Sequence, residues 1–246
     1  MATTDLDERV RKQSWYHTIA LAPGLMTEGW FDLRPYLDRY GLPERMDGMR
    51  ALDVGTWDGF WAFEMERRGA EVVALDIDDE RELDWPPRRR PGTFPPPDRR
   101  GSGFRLAREI LDSSVERVPC SIYDATPERL GRFDLVFCGT VLVHLRDQLL
   151  ALERIAALCR DIFISAEAYD RPSGLVPFSV ARYHANREAS VVFWMPSART
   201  WRHMIWTAGF DQVTRKGTFV MRSRDGIRVP HVIHHASKAV SASSSV

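Results

Sequence analysis

The stretch Asp53-Val-Gly55-Thr56-Trp57-Asp58-Gly59 sets two carboxylates around a glycine turn. A third, Asp76, closes the next apolar run, Glu71-Val-Val-Ala-Leu-Asp76. Glycines let backbone approach a ligand with no Cβ in the way. An acid at the end of the second strand can accept two hydroxyl donors from a ribose. A pyrophosphate would sit at the start of the helix that follows such a turn, but Asp53 and Asp58 would repel it. The pattern therefore predicts a nucleoside ligand that carries positive charge. S-adenosyl-L-methionine (SAM) has an ammonium, a sulfonium and a ribose. Asp53 suits the ammonium, directly or through water, and Asp76 the ribose. Gly55, Thr56, Trp57, Gly59 and Ile77 complete the expected cradle.

Further groups cluster at later strand ends. Ser121-Ile122-Tyr123-Asp124 follows the third predicted strand, where Ile122 and Tyr123 can sandwich an adenine; an ordinary turn with Asp124 capping Pro127-Glu128 is the alternative. Cys138-Gly139-Thr140 ends the fourth, at the amino-acid end of such a cofactor. Cys138 has no activating base beside it and reads as a small buried residue rather than a nucleophile. His144, just past that strand, and His17, near the N-terminus, are the candidate bases for removing a substrate proton near neutral pH. His231, His234 and His235 lack a further organised ligand, so no metal site is expected. Trp15, Tyr16, Tyr183, His184 and Trp194 are the candidate substrate wall, where aromatics could also pack around a sulfonium.

These residues need strands and helices to hold them. Apolar runs and turn residues predict strands at 50–54, 71–75, 115–120, 133–138, 161–166, 210–223 and 227–235. Helices are expected at 59–68, 104–112, 146–158 and 197–208, and a short one at 32–41. Residues 15–30 read as irregular, and 167–195 as loop-rich. The segment 84–103, rich in proline and arginine, reads as a solvated, mobile insert, with its arginines touching an anionic substrate as the alternative. Residues 1–45 are expected to form a lid, 46–236 the catalytic domain and 237–246 a disordered tail.

The 246 residues suit one α/β domain with additions, and 44% are hydrophobic, ordinary for a globular chain. The net charge of +0 argues against a partner held mainly through phosphates, so nucleic acid is not expected. Only three lysines occur (Lys12, Lys216, Lys238), so arginine carries nearly all the positive charge. The three cysteines lack metal spacing and fit free thiols in a reducing cytoplasm. The acidic start has no apolar core, so no signal peptide is expected. No run approaches membrane-spanning length.

The glycine turn resembles the first motif of class I SAM-dependent methyltransferases. Leu52-Asp-Val-Gly55, Gly69-Ala70, Phe133-Asp134, Val141-Leu142, His144, Pro196-Ser197-Ala198 and Gly209-Phe210 resemble the catalytic half of bacterial tRNA wobble-uridine carboxymethyltransferases, over roughly residues 15–215. The resemblance implies a Rossmann-like, doubly wound, seven-stranded mixed sheet under an N-terminal helical lid. Trp57 stands where many relatives have a second glycine. Val143 stands where the carboxymethyl-transferring relatives have a tyrosine that helps hold the extra carboxylate of carboxy-SAM. The longer N-terminal extension of those tRNA enzymes is missing. Ordinary SAM is thus the implied cofactor. Compact, arginine-rich members of this kind are similar to tailoring methyltransferases of secondary metabolism, including antibiotic biosynthesis. The implied reaction is methyl transfer to an O, N or C atom of a small polar molecule. An RNA methyltransferase, a non-catalytic SAM-binding module and a nicotinamide dehydrogenase are the competing readings; Asp53 and the lack of a third glycine weigh against the last.

Overall fold

A computed structural model describes residues 2–96, 99–184 and 191–239. In chain order the elements are α1 (Ala2–Lys12), β1 (Ala20–Ala22), β2 (Leu25–Met26), α2 (Leu37–Tyr40), β3 (Arg50–Val54), α3 (Phe60–Arg67), β4 (Glu71–Asp76), α4 (Ser102–Leu111), β5 (Glu116–Pro119), α5 (Pro127–Leu130), β6 (Phe133–Gly139), α6 (Gln148–Leu158), β7 (Cys159–Ala168), β8 (Ala181–Tyr183), β9 (Trp194–Pro196), α7 (Ala198–Thr207), β10 (Gln212–Arg222) and β11 (Arg228–Ser237).

Seven strands form one sheet in the order β10-β11-β7-β6-β3-β4-β5. Strands β3 to β7 are parallel, and the β10–β11 hairpin adds antiparallel to β7. The central strand β6 is covered on both faces, which explains its nearly unbroken apolar run. Leu135 and Phe137 join one core layer with α3, α4 and the N-terminal segment; Phe133, Val136 and Cys138 join the other with α6 and α7. Each such large side chain contributes roughly 1.5–3 kcal/mol by leaving water. The chain runs outward from β3 to β5, then returns to β6 and continues the other way. The sheet therefore has its switch point between β3 and β6, where open α/β sheets leave a crevice beyond their strand ends.

All seven expected sheet strands are present, with ends shifted by a few residues. β7 runs further in both directions than expected, to Ala168, because β11 pairs along its length from Ile162 to Ala168. The segment read as irregular holds the short β1–β2 hairpin, and the loop-rich stretch holds the β8–β9 hairpin. Residues 32–41 form a 3₁₀ turn (Arg34–Tyr36) followed by α2. Thr126, not Asp124, precedes α5 at its cap position. Ser237 is the last residue of β11, and Lys238 donates to the carbonyls of Ala156 and Cys159; residues 240–246, most of the expected tail, lie outside the described residues. The N-terminal segment shares the main core through Val10, Trp15, Ile19, Leu21, Phe31, Leu33 and Tyr40.

Candidate active site

A cavity of about 430 Å³ opens beyond the C-terminal ends of β3, β4, β5 and β6, within the size range of small-ligand sites. Its rim is set by backbone geometry. Gly55 follows β3 at φ 74°, and a Cβ there would overlap the Val141 side chain, so only glycine lets the β3 and β6 ends close together. The Gly55 amide donates to the Leu75 carbonyl at 2.7 Å, which ties the turn to β4.

Asp53 is 1% exposed, and its Oδ2 has no hydrogen-bond partner. Burial pushes its carboxyl up to about 7. An orphaned carboxylate oxygen on a cavity wall is costly unless a cation or donor meets it. Asp76, at the end of β4, accepts the amides of Trp57 and Ile77 at 2.8 Å each, and pairs with Arg100 at 3.2 Å. Arg100 also lies over the Trp57 ring, 4.1 Å from its centre. Beyond β5, Ser121, Ile122 and Tyr123 line the cavity; Ser121 caps the 3₁₀ turn Ile122–Asp124. The Tyr123 hydroxyl donates to Asp84 at 2.6 Å.

Two imidazoles face the same space. His17 lies in the N-terminal segment, where the Thr27 hydroxyl donates to its carbonyl. Its Nδ1 meets Asp58 Oδ1, while Asp58 Oδ2 accepts the amides of Tyr16 and His17 at 2.8 Å each. A buried carboxylate on Nδ1 orients an imidazole and stabilises its protonated form. His144 ends a 3₁₀ turn after β6, and its Nδ1 is 2.6 Å from the Val191 carbonyl. Only an Nδ1–H can serve that carbonyl, which leaves Nε2 as the acceptor. Burial lowers the His144 pKa, and the positive charge of Arg100 adds to this.

The structure thus brings together Asp53, Gly55, Trp57, Asp76, Ile77, Ser121, Ile122, Tyr123, Gly139, Tyr16, His17 and His144 around one cavity. Several expected residues stand elsewhere. Gly59 precedes α3 at φ 94°, off the cavity lining, and a Cβ there would overlap Phe63 and Phe104, so packing alone requires glycine at this position. Thr56 is buried beneath the turn. Cys138 points below the floor, with Sγ 3.7 Å from Glu167, and burial raises its thiol pKa far out of reach. Trp15 is a core residue whose indole donates to the Val10 carbonyl. Tyr183 and Trp194 pack on each other across the β8–β9 hairpin, 51% and 40% exposed, and His184 follows them; none lines the cavity. Val143 is 2% exposed within the α6-side core, so it does not face the cofactor space.

Sequence reasoning missed Asp58 as the partner of His17, although it sits in the glycine turn. It also missed Glu80, Glu82, Asp84, Trp85 and Arg100, which reach the wall from the segment after β4. No periodicity marks them. Glu167 on β7 was missed as well: it is fully buried, accepts the amides of Val141 and Leu142 at 3.2 Å each, and burial pushes it up to about 8. Among the described residues, no group of three His, Cys, Asp or Glu could hold a metal ion, and no helix is long and apolar enough to cross a membrane.

Comparisons with known proteins agree with this geometry. Residues 28–215 match the model of the methyltransferase domain family. A ubiquinone biosynthesis O-methyltransferase of Xanthomonas campestris is 30% identical over 128 residues, 50% of this chain and 44% of that protein. The chain thus spans less than half the length of the curated relatives it matches. The N-terminal domain of EvdMO1, crystallised in the presence of S-adenosylhomocysteine and D-fucose, superposes with a TM-score of 0.67 at 17% identity over 97% of both chains. A Burkholderia thailandensis 1,6-didemethyltoxoflavin N1-methyltransferase superposes at 0.50 with 18% identity, over 84% of this chain and 74% of that one. With the family model matched over most of its length, the chain belongs to the methyltransferase domain family.

Proposed function

We propose that this enzyme methylates a hydroxyl or amino group of a small, polar, hydroxyl-bearing molecule, as a tailoring step in secondary metabolism. The observation that carries this is the meeting, around one cavity of small-molecule size, of an orphaned carboxylate and two imidazoles held by their Nδ1 atoms. The names of the relatives point the same way: one is an O-methyltransferase of ubiquinone biosynthesis, one an N1-methyltransferase of 1,6-didemethyltoxoflavin, and one was crystallised in the presence of D-fucose, a sugar.

SAM supplies an electrophilic methyl carbon on its sulfonium. The residues present fit that group. Asp53 offers its unpartnered Oδ2 to the ammonium. Asp76 accepts the ribose hydroxyls, sharing or releasing Arg100 to do so. Ile77 and Ile122 border the adenine space. His17 would take the acceptor's proton at Nε2, and Asp58 on its Nδ1 would stabilise the resulting imidazolium. His144, kept neutral, is the alternative acceptor. Residues 1–45 serve as the cover that brings Tyr16 and His17 over the bound pair. Alignment of the reacting atoms does most of the work in such a displacement, and proton removal adds to it.

The test is a panel of sugars, phenols and small amines incubated with SAM, read by release of S-adenosylhomocysteine and by product mass. Turnover on a hydroxylated small acceptor is expected. Methylation of bulk tRNA with no small-molecule activity would overturn the reading, and SAM binding without turnover on any acceptor would favour a binding module.

A further inference from the structure

Away from the catalytic cavity, on the α6 and α7 face of the sheet, a second groove runs between α7 and the β10–β11 hairpin. Ala198, Arg199, Arg202, Arg215 and His234 line it, with a volume near 470 Å³. Three guanidinium groups and no carboxylate surround it. Arg199 and Arg202 lie one turn apart on α7, so they share a face. Arg215 on β10 is the register partner of His234 on β11. Several arginines elsewhere are paired with acids, Arg67 and Arg68 with Glu64 and Arg117 with Asp78 among them. Among the described residues, none of the three groove arginines forms an ion pair.

His234 supplies the second observation. It is 1% exposed, and neither ring nitrogen has a hydrogen-bond partner. Buried polar groups are rarely left so. Its neighbours Val232 and Ala236 on the same strand face are plain core residues, so an apolar side chain would have fitted. Ala198, the first residue of α7, also lines the groove, and a helix start adds partial positive charge.

We propose that this groove is a binding site for a phosphate-type oxyanion, free or carried as a monoester on a larger molecule. The arginines supply forked donors matched to phosphate oxygens, and His234 donates from the groove floor. A dianion also relieves the mutual repulsion of the three cations. A monocarboxylate would leave more of that charge unbalanced.

The experiment follows the His234 ring by NMR, assigned by its loss in His234→Gln. Inorganic phosphate is titrated against chloride at matched ionic strength, at neutral and mildly acidic pH. His234 is held neutral by burial first, then by Arg215 and Arg202; Arg199 on α7 and His235 on β11 are the other charged or titratable groups near it. A saturable shift is expected, together with a rise in the His234 pKa as phosphate binds. Arg202→Gln combined with Arg215→Gln should weaken binding roughly tenfold or more. Both arginines are exposed, so the variant should fold, and unchanged SAM binding will show that it has. Ribose 5-phosphate serves as the second probe. Tighter binding of the monoester assigns the site to a phosphate on a larger ligand, and the reverse order assigns it to the free ion; both uphold the proposal. No saturable response of His234, or equal affinity in the double variant, overturns it. Neither result touches the assignment of the catalytic cavity, since SAM binding is read separately.

Discussion

The cavity has two sides, and they are built differently. The rim at the strand ends stands on the sheet: Asp53 pairs in register with Ala74 and Phe137, and Asp76 with Pro119. Its carboxylates are placed by backbone that cannot move without unpairing strands. The cover meets that rim through single side chains, although its N-terminal part also packs into the main core. Asp58 holds the amides of Tyr16 and His17, Arg100 reaches Asp76, and Asp84 joins the Tyr123 hydroxyl to the Arg146 amide. A rigid rim suits a cofactor that every turnover shares. A cover that meets the rim through a few polar side chains leaves those contacts, rather than the sheet, to adapt to a substrate.

If that division is right, His17→Ala should cut turnover by roughly 100- to 10,000-fold while SAM affinity, measured by calorimetry, barely changes. Asp58→Asn should follow it, because the imidazole loses both its orientation and its counter-charge. Should His144→Ala carry the loss instead, the base belongs to the rim and the division fails for proton transfer.

Asp53 tests the rim through stability. Its proton is held in the fold up to about 7, against an ordinary carboxyl value of 3.8. The native state then binds more protons than the unfolded chain between those values, so this group's contribution falls as pH rises through that window. Asp53→Asn should remove the burden. Thermal melts should show it stabilised by roughly 2–4 kcal/mol at pH 8, with the gain vanishing toward pH 4, and SAM binding should weaken. Equal melting shifts at both pH values would mean that Asp53 is not buried as described.

Asp76→Ala should cost SAM on the order of 1.5–3 kcal/mol of binding. Wild-type affinity by calorimetry would remove the ribose assignment. The smallest effect is expected outside both sides of the cavity. Tyr183→Ala and Trp194→Ala should stay within about twofold of wild-type turnover and stability, as exposed positions usually do. A large fall in kcat for either would place the β8–β9 hairpin over the substrate after all.

What could be read in advance follows the same division. The seven strands, Asp53, Gly55 and Asp76 were legible because hydrophobic period and glycine spacing report backbone directly. Trp57 takes φ 51°, a conformation that glycine adopts freely, and the residue type alone did not disclose it. His17 was legible only as a histidine: its partner Asp58 lies 41 positions away. Arg100 and Asp84 were hidden in a stretch whose prolines and arginines read as solvent-facing, because their value comes from one distant contact each. Tyr183, Trp194 and Trp15 stand outside the cavity for the opposite reason. Large aromatics near a site in sequence pack into cores and hairpins as readily as into pockets.

One contact joins the two sides at their most reactive point. Asp58 belongs to the glycine turn, and the imidazole it orients belongs to the N-terminal segment. Should that segment lift, the turn keeps a stripped carboxylate and the segment carries off an unpartnered histidine. If His17 is the base we propose, its competence depends on two separate elements, the turn that supplies Asp58 and the segment that supplies the imidazole.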